Sequence, residues 1–111
     1  MVTNRENDIL ECIIKHCNRI EEKTSGLTRE KFDDDEDVRE IICFNIFQIG
    51  EVAKNLSSDF VQQYGNVPWK SIKGMRDIIG HGYGTIDFET VWDSAINGIP
   101  FLKTYCEKII K

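Results

Sequence analysis

The segment from Asp35 to Leu56 constrains the fold most, because apolar residues recur through it at helical spacing and leave almost no side polar. One stripe comprises Val38, Ile41, Ile42, Ile49, Val52, Ala53 and Leu56. Further apolar residues occupy the other sides of its middle, namely Cys43, Phe44, Ile46 and Phe47. Such a helix needs two apolar partners. We expect one side to meet the core and the other to meet a second copy of the chain, although a central position in a bundle would also explain the pattern.

Other segments also have the periodicity and the end signals of helices. The first helix is predicted from about Asn4 to Lys23, where Ser25 and Gly26 end it. Residues that predict the starts of the helices are Thr3 with Glu6, Asp33 with Glu36, Ser57 or Ser58, Pro68, and Asp87. Gly98 and Pro100 are expected to kink the last helix.

Alternation of period two is nowhere sustained, and no internal repeat or low-complexity linker interrupts the chain. A length of 111 residues suits one domain and is too short for two independent cores. We therefore predict a single domain over residues 1–111, an all-α, up-and-down bundle of four to five helices with short connections.

The net charge of −5 argues against a surface that coats nucleic acid, since such binding depends on clustered Lys and Arg. Much of the acid lies in one run at residues 33–37, which we interpret as a solvated helix start rather than a metal site. Lys70, Lys73 and Arg76 instead form a local basic stripe. Because no leader or long apolar run is evident, we expect a cytoplasmic protein. The four cysteines show no paired spacing, so we expect reduced thiols.

The stretch from Gly74 to Gly84 carries Arg76, His81 and Tyr83 among several glycines. Arginine binds phosphate through a planar fork, and histidine moves a proton near neutral pH. Glycine lets the backbone leave a helix, so that His81 can turn back toward Arg76, and it leaves room for a sugar-phosphate backbone. This combination predicts chemistry on a phosphodiester, with His81 in proton transfer and Arg76 stabilising the developing charge.

The spacing Arg76-x4-His81-x-Tyr83 resembles the signature of the HEPN superfamily, and in particular of its HepT-type toxin branch. The flanking pieces occur in the same order as in that family. They are Ile49-Gly50-Glu51, Val67-Pro68-Trp69, Gly74-Met75-Arg76, Ile86-Asp87 and Val91-Trp92. The likeness is nearly continuous from about Phe32 to Leu102.

This resemblance implies the toxin of a type VII toxin–antitoxin pair, a homodimeric and metal-independent endoribonuclease in which Arg76 and His81 of both copies face one cleft. The family's tyrosine at the position of Tyr83 is adenylylated by a cognate minimal nucleotidyltransferase antitoxin, which silences the nuclease. Packing, or a hydrogen bond to RNA, is the other interpretation of Tyr83. The supporting or RNA-binding residues are predicted to be Lys73, Asp77 and Glu51, although a structural hydrogen bond or plain exposure would also account for Glu51. No metal or cofactor is expected.

A second class of function stays open, a non-catalytic helical subunit that binds a nucleotide or presents the substrate of a nucleotidyltransferase. The intact Arg76 and His81 favour the enzyme, whereas the acidic charge favours the binding module. His16, the only other histidine, is predicted to be a residue of the first helix rather than a catalytic partner. Trp69 and Trp92 could stack on bases, but both lie on apolar stripes that we interpret as core.

Overall fold

A computed structural model of the protein describes residues 2–72, 74 and 86–110. Their α-helices are α1 (Asn4–Thr24), α2 (Arg29–Asp34), α3 (Glu36–Ala53), α4 (Ser58–Gln63), α5 (Phe88–Asp93) and α6 (Ile99–Ile109). Residues 69–72 are helical as well, and a π-helical turn at Ser94–Gly98 joins α5 to α6. Within these ranges there is no strand, so the predicted all-α bundle is confirmed.

The start of α1 is tied to the start of α4. Thr3 and Glu6 form the predicted capping box, with the Glu6 amide donating to Thr3 Oγ1 at 3.1 Å and the Thr3 amide donating to Glu6 Oε1 at 3.2 Å. Glu6 is buried, and its other carboxylate oxygen accepts from the Ser57 hydroxyl at 2.9 Å. Ser57 also caps α4, as predicted, by accepting from the Phe60 amide at 3.1 Å. Because Glu6 opens α1 and Ser57 follows α3, these two helices run antiparallel.

The acid run does not open one helix at Asp33. Asp33 lies inside the separate helix α2, where it pairs with Arg29 at 3.0 Å, and α3 is capped by Asp35, which accepts from the Val38 amide at 3.1 Å. The reason is Phe32, which is fully buried and needs its own short helix to reach the core. Capping, the predicted role of the acid run, is therefore confirmed, but at Asp35.

α3 packs against α1, and α1 packs against α6, so the core lies along α1. Cys43 and Ile46 belong to this core, although they were predicted to lie outside the α3 stripe. Val38 and Val52, predicted within the stripe, are only half-buried. Phe44 is 57% exposed, which agrees with its predicted exclusion from the core stripe.

The last helical region changes form where Gly98 and Pro100 predicted an irregularity. The amide of Ile99 donates to the Ser94 carbonyl, five residues earlier, and closes the π-helical turn. Pro100 follows in the first turn of α6, where its missing amide hydrogen is tolerated. The disruption therefore takes the form of one wide turn between two regular helices.

The four cysteines are free thiols, as predicted. Burial raises the pKa of Cys17 and of Cys106 to about 12, and that of Cys43 to about 11. Thiols with such pKa values are inert at neutral pH. None of the helices in the described ranges is both long and apolar enough to cross a membrane.

Candidate nuclease site

Some of the predicted site residues lie in the part of the chain that the structure describes, and the others do not. Lys73, Arg76, Asp77, His81 and Tyr83 lie outside the described residues. Glu51 is described. The structure also shows the residues that bring the chain to the motif and those that lead away from it.

The approach to the motif is anchored by Trp69. This side chain is 2% exposed, and its indole nitrogen donates to the Tyr64 carbonyl at 3.0 Å. Its ring also lies 6.0 Å from that of Phe60, centroid to centroid. Trp69 is thus a core residue, as predicted. Residues 69–72 are consequently held against the bundle just before the motif begins.

A small cavity of about 160 Å³ shows which elements the approach meets. Ile72 lines it from the motif side, Ile46 and Ile49 line it from α3, and Ile99 and Leu102 line it from α6. Ile72 is also packed on the hydrophobic core. The chain therefore enters the motif beside the middle of α3.

The exit from the motif is fixed by Asp87, which caps α5 as predicted. Its carboxylate accepts from the Glu89 amide at 3.1 Å and from the Thr90 hydroxyl at 2.8 Å. The hydrogen bond from the Thr90 side chain lowers the pKa of Asp87. The next residue, Phe88, lies under the Arg39 guanidinium. The Cζ atom of Arg39 is 5.2 Å from the centroid of the Phe88 ring.

A second, larger cavity of about 480 Å³ lies at this exit. Ile86 and Phe88 line one side, and Cys43, Phe44 and Phe47 of α3 line the other. The two ends of the motif segment are thus both held beside one stretch of α3, residues 43–49. Phe44 is the exposed aromatic residue on that stretch.

Glu51 lies two residues beyond this stretch and is half-buried. Its Oε2 atom is 3.4 Å from Nζ of Lys54, the residue that follows the last residue of α3. Lys54 is exposed, so this pair contributes little to the stability of the fold. The supporting role of Glu51 stays a prediction.

His16 has the structural role that was predicted for it. Its Nδ1 lies 2.8 Å from Asn45 Oδ1, and Asn45 Nδ2 donates to the Ile41 carbonyl at 2.8 Å. Both residues line a groove between α1 and α3 that was not foreseen, because they are far apart in sequence. The one signal for it was Asn45, an amide within an apolar run that required partners.

No group of three His, Cys, Asp or Glu side chains among residues 2–72, 74 and 86–110 is arranged to hold a metal ion.

Trp92, like Trp69, packs against the core, with its ring centroid 5.1 Å from that of Phe32.

A family model described as ribonuclease HepT-like matches residues 13–109. The chain belongs to the HepT-like ribonuclease family. This match includes the whole motif segment and both of its anchors, in agreement with the resemblance found from the motif. Family membership supports a ribonuclease.

Individual relatives agree with the family match. The chain is similar to the "Probable ribonuclease HepT" of Thermococcus cleftensis, with 33% identity over 94% of each chain. A provisionally named RNase of Caldanaerobacter subterraneus subsp. tengcongensis is 31% identical over 92% of this chain and 91% of its own. Another provisionally named RNase, from Methanocaldococcus jannaschii, is 34% identical over 89% of this chain and 82% of its own. No solved structure matches the chain.

Proposed function

We propose that this protein is a metal-independent endoribonuclease that acts as the toxin of a toxin–antitoxin pair in the cytoplasm. The observation that carries the proposal is the placement of Arg76 and His81 within the family match, between two segments anchored on α3. Trp69 and Asp87 hold those segments at fixed positions. Such anchors suit a catalytic segment, because a reacting group must be presented by a rigid frame.

The chemistry assigned to the motif is cleavage by the RNA's own 2′-hydroxyl. The 2′ oxygen attacks the neighbouring phosphorus, the bond from phosphorus to the 5′ oxygen breaks, and a 2′,3′-cyclic phosphate and a 5′-hydroxyl result. His81 takes part in the proton transfers, and Arg76 stabilises the charge on the phosphoryl oxygens. Lys73 is assigned to a neighbouring phosphate, and Asp77 and Glu51 are assigned to orienting the motif.

One imidazole cannot act as base and acid at the same moment, so two copies of the motif are assigned to one cleft. The outward side of α3 supports a homodimer, since the 57% exposed Phe44 lies beside Ile86, at the end of the motif segment. Exposed aromatic residues of this kind are typical of the centre of an interface. Pairing through Phe44 would place Ile86 of each copy near the contact.

Tyr83 is assigned as the site at which a minimal nucleotidyltransferase antitoxin attaches adenylate. Its phenol oxygen attacks the α-phosphorus of ATP, pyrophosphate leaves, and a phosphodiester forms. The added adenylate carries about one negative charge two residues from His81, by the same charge logic as phosphorylation. It would oppose the binding of RNA and compensate the charge of Arg76.

The acidic composition favours an alternative function, that of a non-catalytic subunit that binds a nucleotide or presents the substrate of the nucleotidyltransferase. One assay distinguishes the two functions. Purified, unmodified protein is incubated with total RNA, with and without a chelator, beside the variants Arg76→Ala and His81→Ala. Cleavage by the wild type that resists the chelator, together with its loss in both folded variants, is expected. Full cleavage by folded His81→Ala would rule out the catalytic assignment.

A further inference from the structure

A groove with a volume of about 910 Å³ runs between α1 and α3. Residues 15–22 supply its α1 wall, and residues 37–45 supply its α3 wall. The hydrogen-bonded pair of His16 and Asn45 joins the two walls. Both residues of this pair belong to one chain, so the link between the walls is intramolecular.

The two walls carry opposite charges. Lys15 and Arg19 form a basic strip on α1, and Asp37 and Glu40 form an acidic strip on α3, all with exposed side chains. Glu22 also lines the groove and lies 3.5 Å from Arg19, in an exposed pair of the kind that contributes little. Apart from Glu22, the cations that line the groove are on α1 and the carboxylates are on α3.

Apolar surface lies between the strips. Phe44, 57% exposed, reaches the groove from α3 together with the half-buried Ile41. An aromatic residue with a charged border is the usual arrangement of a protein–protein contact. An RNA backbone fits the groove poorly, because three carboxylates line it against two cations.

A second copy of the chain fits this pattern. α1 and α3 are antiparallel neighbours, so a two-fold axis lying along the groove sets the α1 of each copy over the α3 of the other. The basic strip then meets the partner's acidic strip twice, once on each side of the axis. A face of this kind is self-complementary, as a two-fold contact requires.

We infer that the groove between α1 and α3 binds a second copy of this chain, with the basic strip of each protomer against the acidic strip of the other. This inference rests on the proposed homodimer and adds its face and its orientation. Phe44 lies at the centre of the contact and also lines the cavity beside Ile86. The paired strips thereby set the angle at which the two protomers meet.

Charge reversal tests the orientation directly. One variant combines Lys15→Glu with Arg19→Glu, and the other combines Asp37→Lys with Glu40→Lys. In either variant alone, like charges face each other on both sides of the axis. The dissociation constant of its dimer is therefore expected to be about tenfold higher than that of the wild type at low salt. An equal mixture of the two variants restores opposite charges at both contacts, so a heterodimer at least as tight as the wild-type dimer is expected.

Matched controls remove the effect of net charge. Arg5→Glu with Lys108→Glu shifts the charge as the first variant does, and Asp59→Lys with Glu107→Lys shifts it as the second does, at exposed positions outside the groove. These variants are expected to dimerise like the wild type. Sedimentation equilibrium gives the dissociation constants, and thermal unfolding establishes that every variant is folded.

The outcomes separate this inference from the proposed function. A wild-type dimer that neither groove variant weakens, or weakened variants whose mixture forms no heterodimer, would overturn the inference and leave a dimeric nuclease intact. Groove variants that lose RNA binding while keeping a wild-type dimer would overturn it in favour of an RNA site. A wild type that stays monomeric and cuts no RNA would instead refute the proposed function.

Discussion

His16 Nδ1 and Asn45 Oδ1 lie 2.8 Å apart, and the orientation of the Asn45 amide determines which of them donates. Asn45 Nδ2 donates to the Ile41 carbonyl, so Oδ1 faces the imidazole as an acceptor. Neutral His16 therefore carries its proton on Nδ1, and Nε2 keeps a lone pair. Asn45 is 5% exposed, and its hydrogen bonds satisfy an amide that would otherwise destabilise the core.

Asn45→Ala is expected to lower the free energy of unfolding by about 1–3 kcal/mol, the range for losing a buried hydrogen-bonded partner. It is also expected to release the tautomer of His16. Chemical denaturation measures the first effect, and the nitrogen shifts of the imidazole in NMR measure the second. A variant with wild-type stability and an unchanged tautomer would contradict the role of Asn45.

The contact between Glu6 and Ser57 predicts a dependence of stability on pH. Burial raises the pKa of Glu6, but hydrogen bonds from the Thr3 backbone, Ser57 and the Thr3 side chain outweigh it, so the pKa is lowered. The ionised carboxylate thus favours the folded state above its unfolded pKa of 4.5, and this contribution is lost as the pH falls through the folded value.

Glu6→Gln is therefore expected to unfold at a lower temperature than the wild type at pH 7, because the amide has one uncharged acceptor oxygen in place of two charged ones, and its NH2 group cannot accept the hydrogen bond from either Thr3 or Ser57. The gap should begin to narrow as the pH falls below about 4.5, where the carboxylate of the unfolded chain is protonated, and should close once the pH is below the lowered pKa of the folded state. Thermal scans between pH 7 and pH 3 measure it. A gap that stays constant over this range would show that the carboxylate charge is not the cause.

The sequence predicted the helix starts at Thr3, Ser57 and Asp87 because each depends on a hydrogen bond within three residues. α2 was missed because Phe32, its one buried residue, is surrounded by charges that carry no periodicity. Cys43 and Ile46 were misplaced because a helix apolar on every side does not show which side faces inward. The contact of His16 with Asn45 joins residues 29 apart, beyond the range of any local pattern.

Phe44→Glu is expected to yield a folded monomer with little nuclease activity. The side chain is 57% exposed, so a carboxylate there disturbs the proposed interface and spares the core. Phe47, by contrast, packs against the core, and a charge there would also destabilise the fold. Phe101→Glu is the matched control, because Phe101 is 52% exposed on another helix. Light scattering coupled to gel filtration decides between the outcomes, and a stable dimer of Phe44→Glu would place the interface elsewhere.

Tyr83→Phe is expected to keep nuclease activity and to escape the antitoxin. The substitution removes the phenol oxygen that would attack the α-phosphorus of ATP, while the ring and the charge of the segment stay the same. Wild-type protein incubated with a cognate nucleotidyltransferase and ATP should gain the mass of one adenylate per chain and lose cleavage, since the added anion repels RNA near His81. Intact-mass spectrometry and the cleavage assay are run on the same samples. An adenylate that still attaches to Tyr83→Phe would move the modification to another residue, whereas a Tyr83→Phe protein that is unmodified and inactive would make the phenol part of the catalytic site.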